Sequence, residues 1–158
     1  MSVIRVVWGT ATGPTATAAY DAALAGANVH DYNLVTVSSV IPAGPSLEVV
    51  GTAPDLGPAG NRLTVVQSTE TVPPGDDAAV AGIGWARSES GRGVFYEATG
   101  SDPDAVRATI ERGLAAGKDL REWTFVEEDV LVRTGEADPD AYVTTVVCAV
   151  YGESTPVL

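Results

Sequence analysis

The chain is poor in the residues on which many kinds of site chemistry depend: one cysteine, one histidine and a single lysine, Lys118, among 158 residues. One cysteine excludes an internal disulfide, and Cys148, inside the apolar run YVTTVVCAVYG, reads as a small buried hydrophobe. A zinc site cannot be assembled from one histidine and one cysteine alone, so no metal is expected. A Ser-His-Asp triad would have to be built around His30, beside Asp31, and neither spacing nor context recommends it. No apolar run approaches the roughly 20 residues of a membrane span. Positive charge is also scarce: 21 acidic residues face 9 basic ones, for a net charge of −12. Such a surface repels nucleic-acid phosphates and anionic lipid headgroups and favours small cationic ligands. Neither a nucleic-acid nor a membrane partner is expected, and a soluble cytoplasmic setting is the default.

The acidic, lysine-poor composition is similar to that of proteins from salt-adapted microbes, whose carboxylates keep the folded surface hydrated. The length suits one domain over residues 1–158, enough to bury about 70% of the unfolded chain's surface. Residues 2–8, SVIRVVW, are rich in β-branched side chains and predict a first strand, followed by a loop of glycine and threonine. PTATAAYDAALAGA, residues 14–27, predicts a helix with proline in its first turn and Gly26 near its stop. DYNLVTVSSVI, residues 31–41, reads as one second strand ended by Pro42. Residues 42–60, with their prolines and glycines, read as the longest irregular stretch. RLTVVQSTETV, AAVAGIGWARS and RGVFYEATG give three further strands with short turns, suggesting antiparallel neighbours. SDPDAVRATIERGLAAGKDL is the most secure helix, with a serine or aspartate N-cap and apolar Val106, Ile110 and Leu114 on one face. EWTFVEEDVLVRTG and AYVTTVVCAVYG close the chain as strands. Many strands with two helices make an α+β chain of stacked antiparallel sheets covered by helices.

Ser38 and Ser39 sit where an alternating strand would carry another apolar residue. Counting by two places Asn33, Val35, Val37, Ser39 and Ile41 on one face. A hydroxyl one residue after a peptide carbonyl can attack that carbonyl if a donor stabilises the oxyanion, and an asparagine amide on the same face suits that task. On pattern alone the pair is more simply two small residues hydrogen-bonded to nearby backbone at a strand end.

The surrounding string adds to this. AYDAALAGANVHDYNLVTVSSVIP resembles the N-terminal region of the pyruvoyl-dependent arginine decarboxylases, whose proenzymes cleave themselves inside a V-S-S-I/V-x-P motif that follows an N-L/I-V element. GRGVFYEATG is similar to the family's segment around its catalytic glutamate, and EWTFVEEDVLVRTG to a late strand. The resemblance implies cleavage between Ser38 and Ser39 after an N-to-O acyl shift from Ser39, giving a β chain of residues 1–38 and an α chain of residues 39–158. Ser39 would become a covalent pyruvoyl group, whose keto carbon takes the substrate amine as a Schiff base and whose adjacent amide carbonyl acts as electron sink. Glu97 matches the catalytic acid, and its strand places it with Phe95 and Thr99, where apolar neighbours would raise its pKa. Asn33 matches an active-site position suited to the oxyanion during cleavage. Asp21 matches the acid that receives the substrate's guanidinium group, and Thr17, a turn earlier, stands where a larger aliphatic residue is expected.

The fold implied is a four-layer αββα sandwich, assembled as a homotrimer with active sites between protomers, the pairing of trimers into hexamers being left open. The activity implied is conversion of L-arginine to agmatine and carbon dioxide for polyamine synthesis. The alternatives are a pyruvoyl decarboxylase of another amino acid and a non-catalytic oligomeric binding protein on the same fold.

Overall fold

The computed structural model describes residues 2–158. The elements run β1 (Val3–Gly13), α1 (Ala16–Ala27), β2 (Asn33–Thr36), β3 (Val40–Ile41), β4 (Ser46–Gly51), β5 (Arg62–Val72), β6 (Ala79–Ser88), β7 (Gly93–Gly100), α2 (Pro103–Asp119), β8 (Phe125–Gly135) and β9 (Tyr142–Tyr151). A five-stranded sheet has the order β2-β5-β9-β1-β4, and a four-stranded sheet the order β3-β7-β6-β8.

Three apolar layers hold these sheets and helices together. Ala23, Leu24 and Ala27 of α1 pack on Val7, Val65, Val146 and Cys148, the outer face of the five-stranded sheet. Between the sheets lie Ile4, Val6, Val147 and Ala149 from one side and Ile83, Trp85 and Phe95 from the other. Val106, Ile110 and Leu114 of α2 cover the outer face of the four-stranded sheet against Val80, Ala86 and Val94. The order is therefore helix, sheet, sheet, helix, the αββα sandwich expected from the resemblance. The apolar spacing on α2 is the one the sequence predicts, with Asp102 as N-cap accepting from the Asp104 amide and Pro103 opening the helix.

Several local expectations are corrected. β1 continues through the glycine and threonine segment to Gly13, because each of its residues from Ile4 onward pairs with β9, ending at Gly13↔Tyr142. Gly26 does lie near the stop of α1, one residue before its last residue Ala27, but it is not the capping residue. The stop is Asn28, which takes the left-handed conformation at φ 61° while its N–H caps the Leu24 and Ala25 carbonyls. The stretch from 42 to 60 is not wholly irregular: Ser46–Gly51 forms β4, a parallel edge strand on β1. With β2 parallel to β5 as well, the larger sheet is mixed rather than antiparallel.

The helix α1 can sit this low on the sheet because Gly9 has no side chain. A Cβ there would run into the Ala23 carbonyl and meet the Ala27 nitrogen at 3.2 Å. Gly9→Ala should therefore overpack the layer and destabilise the fold by about 1–3 kcal/mol, read as a lower urea midpoint. An unchanged midpoint would show that α1 does not approach β1 this closely.

Candidate active site

The segment read as one strand is in fact two, and the break falls at the serines. β2 pairs with β5 in the five-stranded sheet, and Val37 extends that contact through its N–H to the Val65 carbonyl at 3.0 Å. Two residues later the chain already belongs to the other sheet: the Phe95 N–H donates to the Ser39 carbonyl at 2.8 Å, and Val40 and Ile41 pair with Val94 and Gly93. Asn33 and Ser39 therefore do not share one strand face, because strand alternation does not carry across the break. Ser38 lies at the crossing. Its carbonyl accepts the Val40 N–H at 2.9 Å, closing a turn of one residue around Ser39. The Val40 carbonyl in turn accepts the Tyr151 hydroxyl at 2.9 Å, tying this segment to the end of β9. Burial pushes the Tyr151 phenol up to about 12, which keeps it a donor.

The crossing forms one wall of a cleft of about 350 Å³ lined by Ser38, Ser39, Val40, Phe95, Glu97 and Arg121, among others, a volume within the range of small-ligand sites. Ser39 Oγ donates to Glu97 Oε2 at 3.3 Å. Strand alternation on β7 turns Glu97 to the same side as Phe95, as the sequence suggests, and Phe95 is buried between the sheets beside Trp85 and Tyr151. The Glu97 side chain keeps contact with solvent, yet desolvation by the cleft walls is the largest influence on it and raises its pKa above the usual carboxylate value; the hydrogen bond from Ser39 pulls the other way. A carboxyl in that state, touching a hydroxyl, can take a proton from it or return one.

Other residues singled out by the sequence lie elsewhere in the chain. Asn33 spends its amide N–H on the Gly60 carbonyl at 2.8 Å, and its backbone N–H goes to the Asn61 carbonyl. Thr17 and Asp21 are both exposed on α1, on the far side of the five-stranded sheet from Glu97. None of the three lines the cleft. Lys118, at the end of α2, pairs with Glu128 at 2.6 Å, and Cys148 is a buried thiol pushed up to about 12 by desolvation, which leaves it a core residue.

The sequence does not single out the groups that service the crossing. The N–H groups of Phe95 and Val40 carry no side-chain signature, and Tyr151 arrives from the opposite sheet. Arg121 stands one residue beyond the predicted helix end at Leu120, where no spacing or motif marks it.

Comparison with known proteins bears directly on this cleft. The family model described as pyruvoyl-dependent arginine decarboxylase matches residues 3–156. The chain belongs to the pyruvoyl-dependent arginine decarboxylase family. Proteins of that name from two strains of Halobacterium salinarum are each 50% identical to it over 159 residues, covering 99% of this chain and 98% of theirs. One from Pyrococcus horikoshii is 34% identical over 131 residues, covering 78% of this chain and 81% of its own.

A member of this family carries a covalent pyruvoyl group, and residue 39 fits one. Its side chain reaches Glu97 in the cleft, and its carbonyl, the group that would adjoin the keto carbon, is held by the Phe95 N–H. Among the described residues, no helix is long and apolar enough to cross a membrane.

Proposed function

We propose that this chain is a self-processing decarboxylase that converts L-arginine to agmatine and carbon dioxide, with residue 39 as its reactive group. The observation that carries the reading is the Ser39–Glu97 contact at the sheet crossing, in a chain of this family. The relatives' shared name supplies the substrate.

Processing begins with Ser39 Oγ attacking the Ser38 carbonyl carbon as Glu97 draws off the hydroxyl proton. Negative charge gathers on the Ser38 oxygen, where the Val40 N–H already donates. The Ser38–Ser39 C–N bond breaks to leave an ester on Ser39. Elimination releases the Ser38 carboxylate, and water then displaces ammonia from residue 39, leaving residues 1–38 and 39–158. The pyruvoyl group so formed supplies an electron-withdrawing carbonyl beside the substrate's α-carbon. Phe95 N–H donates to the residue 39 carbonyl oxygen, where charge would collect as carbon dioxide departs. Glu97, whose pKa desolvation raises, then delivers a proton.

The same reading makes the enzyme a cytoplasmic homotrimer with sites shared between protomers. It is supported by the placement of Asp21 and Thr17, exposed on α1 and outside the cleft of their own chain. A neighbouring protomer would bring Asp21 to the substrate's guanidinium group, with Thr17 beside it. A part for Asn33 in cleavage would likewise be exercised on a neighbour's serine pair.

Intact mass of purified protein should show two fragments, the larger with a modified N-terminus, whereas Ser39→Ala should stay a single chain near 16.2 kDa. Cleavage of Ser39→Ala would remove Ser39 as nucleophile. Glu97→Gln, with kcat counted per cleaved subunit, should lose about a hundredfold or more. In the parent the proton-donating form of Glu97 is complete below its raised pKa and lost as pH rises through it. An alkaline limb should therefore appear above the ordinary 4.5 of a glutamate and vanish in Glu97→Gln. A limb that persists there belongs to another group. Co-expressed Asp21→Ala and Glu97→Gln chains should regain activity in mixed trimers above either variant alone; no regain would remove the shared site.

A further inference from the structure

We propose that Arg121 anchors the substrate's carboxylate and so sets which end of the amino acid enters the cleft first. The inference rests on the decarboxylase reading above and deepens it. Arg121 and Glu97 are the two charged-type side chains lining the cleft, and Arg121 is its one cation. A chain with a net charge of −12 therefore presents a local cation beside its reactive serine.

The guanidinium is held in place before any ligand arrives. Its Nη1 donates to the Gly117 carbonyl at 2.8 Å, its backbone N–H caps the Lys118 carbonyl at 3.1 Å, and its Cζ lies 5.5 Å from the Trp123 ring centroid. The rest of its donor fork has no protein acceptor among the described residues, so it is available to a carboxylate.

An arginine substrate carries a cation at its far end and an amine and a carboxylate together at the other. Arg121 repels the first and attracts the carboxylate, so the substrate's two ends are distinguished by sign as well as by shape. This places the amine beside residue 39 and directs the guanidinium outward.

The strength of the grip matters, because the carboxylate leaves as a neutral molecule. A tight, desolvated ion pair would stabilise the bound substrate more than the transition state and slow the loss of carbon dioxide. Arg121 is only partly buried, so its hold is screened and modest. Its contribution belongs in KM, not in kcat.

A cap for the end of α2 is the competing role, and agmatine separates the two because it keeps the amine and guanidinium but lacks the carboxylate. In cleaved enzyme, Arg121→Gln should raise KM for arginine about fivefold, roughly the loss of one modest charged contact. Its kcat should hold within about twofold or rise, and inhibition by agmatine should change by less than about twofold. Arg121→Lys, which keeps the charge but not the fork, should fall between. Parallel changes for arginine and agmatine, or no change in either, would overturn the proposal. The parent enzyme gives a second measurement that survives any misfolding of the variants. Argininamide, which keeps the shape without the charge, should inhibit it with a Ki about fivefold above the KM for arginine; a Ki equal to that KM overturns the proposal. Failure of the parent to release carbon dioxide from arginine is recognised before any variant is made; it overturns the proposed function and this inference with it.

Discussion

An extended segment here must leave one sheet and join another within three residues, and the site follows from that constraint. A peptide inside a β ladder has its N–H and carbonyl engaged by neighbouring strands. Between Val37, still bonded to Val65, and Ser39, already bonded to Phe95, the ladders cannot serve Ser38. Its carbonyl is satisfied locally by the Val40 N–H, which folds the backbone around Ser39 and leaves both serines at the cleft. Small polar residues suit such a crossing, since bulky β-branched side chains would hold it extended. The same exposure makes this peptide approachable by its own neighbour's hydroxyl.

The acid that meets this hydroxyl is held more firmly than a surface glutamate. Glu97 lies opposite Ile83 in the β6–β7 ladder, two residues from Phe95, whose ring packs edge-on against Trp85 and Tyr151 at 6.4 and 6.2 Å. One residue thus serves twice. The Phe95 ring fixes the strand between the sheets, and its N–H fixes residue 39. Tyr151 repeats the pattern from the other sheet, with its ring on Phe95 and its hydroxyl on Val40. Side chains locked by packing are what keep reacting groups within hydrogen-bond reach.

The sequence makes the layers legible more readily than the joint between them. Val106, Ile110 and Leu114 announce the buried face of α2, and the β-branched runs of β5 and β9 announce central strands, because periodicity reports which face is buried. Ser38, Ser39 and Glu97 are singled out through the family resemblance, and in the structure Ser39 touches Glu97. Periodicity fails where a tertiary demand interrupts a local pattern. Residues 31–41 alternate well enough to pass for one strand, yet partners on two sheets split them. In β4 the LEVV core was hidden by the surrounding prolines and glycines, since a parallel edge strand needs only a partner's ladder to form. Asn28 ends α1 because it takes the left-handed conformation and its N–H caps the Leu24 and Ala25 carbonyls, a role that asparagine shares with glycine and that composition alone does not assign. Asp21 and Thr17 cannot be joined to Ser39 from one chain's sequence or fold, since a whole sheet intervenes.

A cut at the serine pair is compatible with this architecture because it falls at the periphery of an interlocked pair of fragments. Residues 1–38 contribute β1, α1 and β2, and β1 occupies the interior of its sheet, flanked by β9 and β4 from the remainder of the chain. Separating the fragments would break the β1–β9 ladder along Ile4–Gly13 and expose the inter-sheet core at Ile4 and Val6, a far larger loss than one peptide link removes. The new end at residue 39 is a different matter, because β3 is only two residues long and cannot hold a terminus by itself. Three contacts from outside β3 supply the missing constraint: the Phe95 N–H on residue 39, the Tyr151 hydroxyl on Val40, and the half of Arg87 that reaches across the turn to the Pro45 carbonyl at 2.8 Å. The buried Arg87 also grips the Gly91 carbonyl in the β6–β7 turn, so the first residues after the cut are fastened to the same hairpin that carries Glu97. Glu97 and residue 39 therefore keep their separation by attachment to one strand pair, whether or not the chain between Ser38 and Ser39 is continuous.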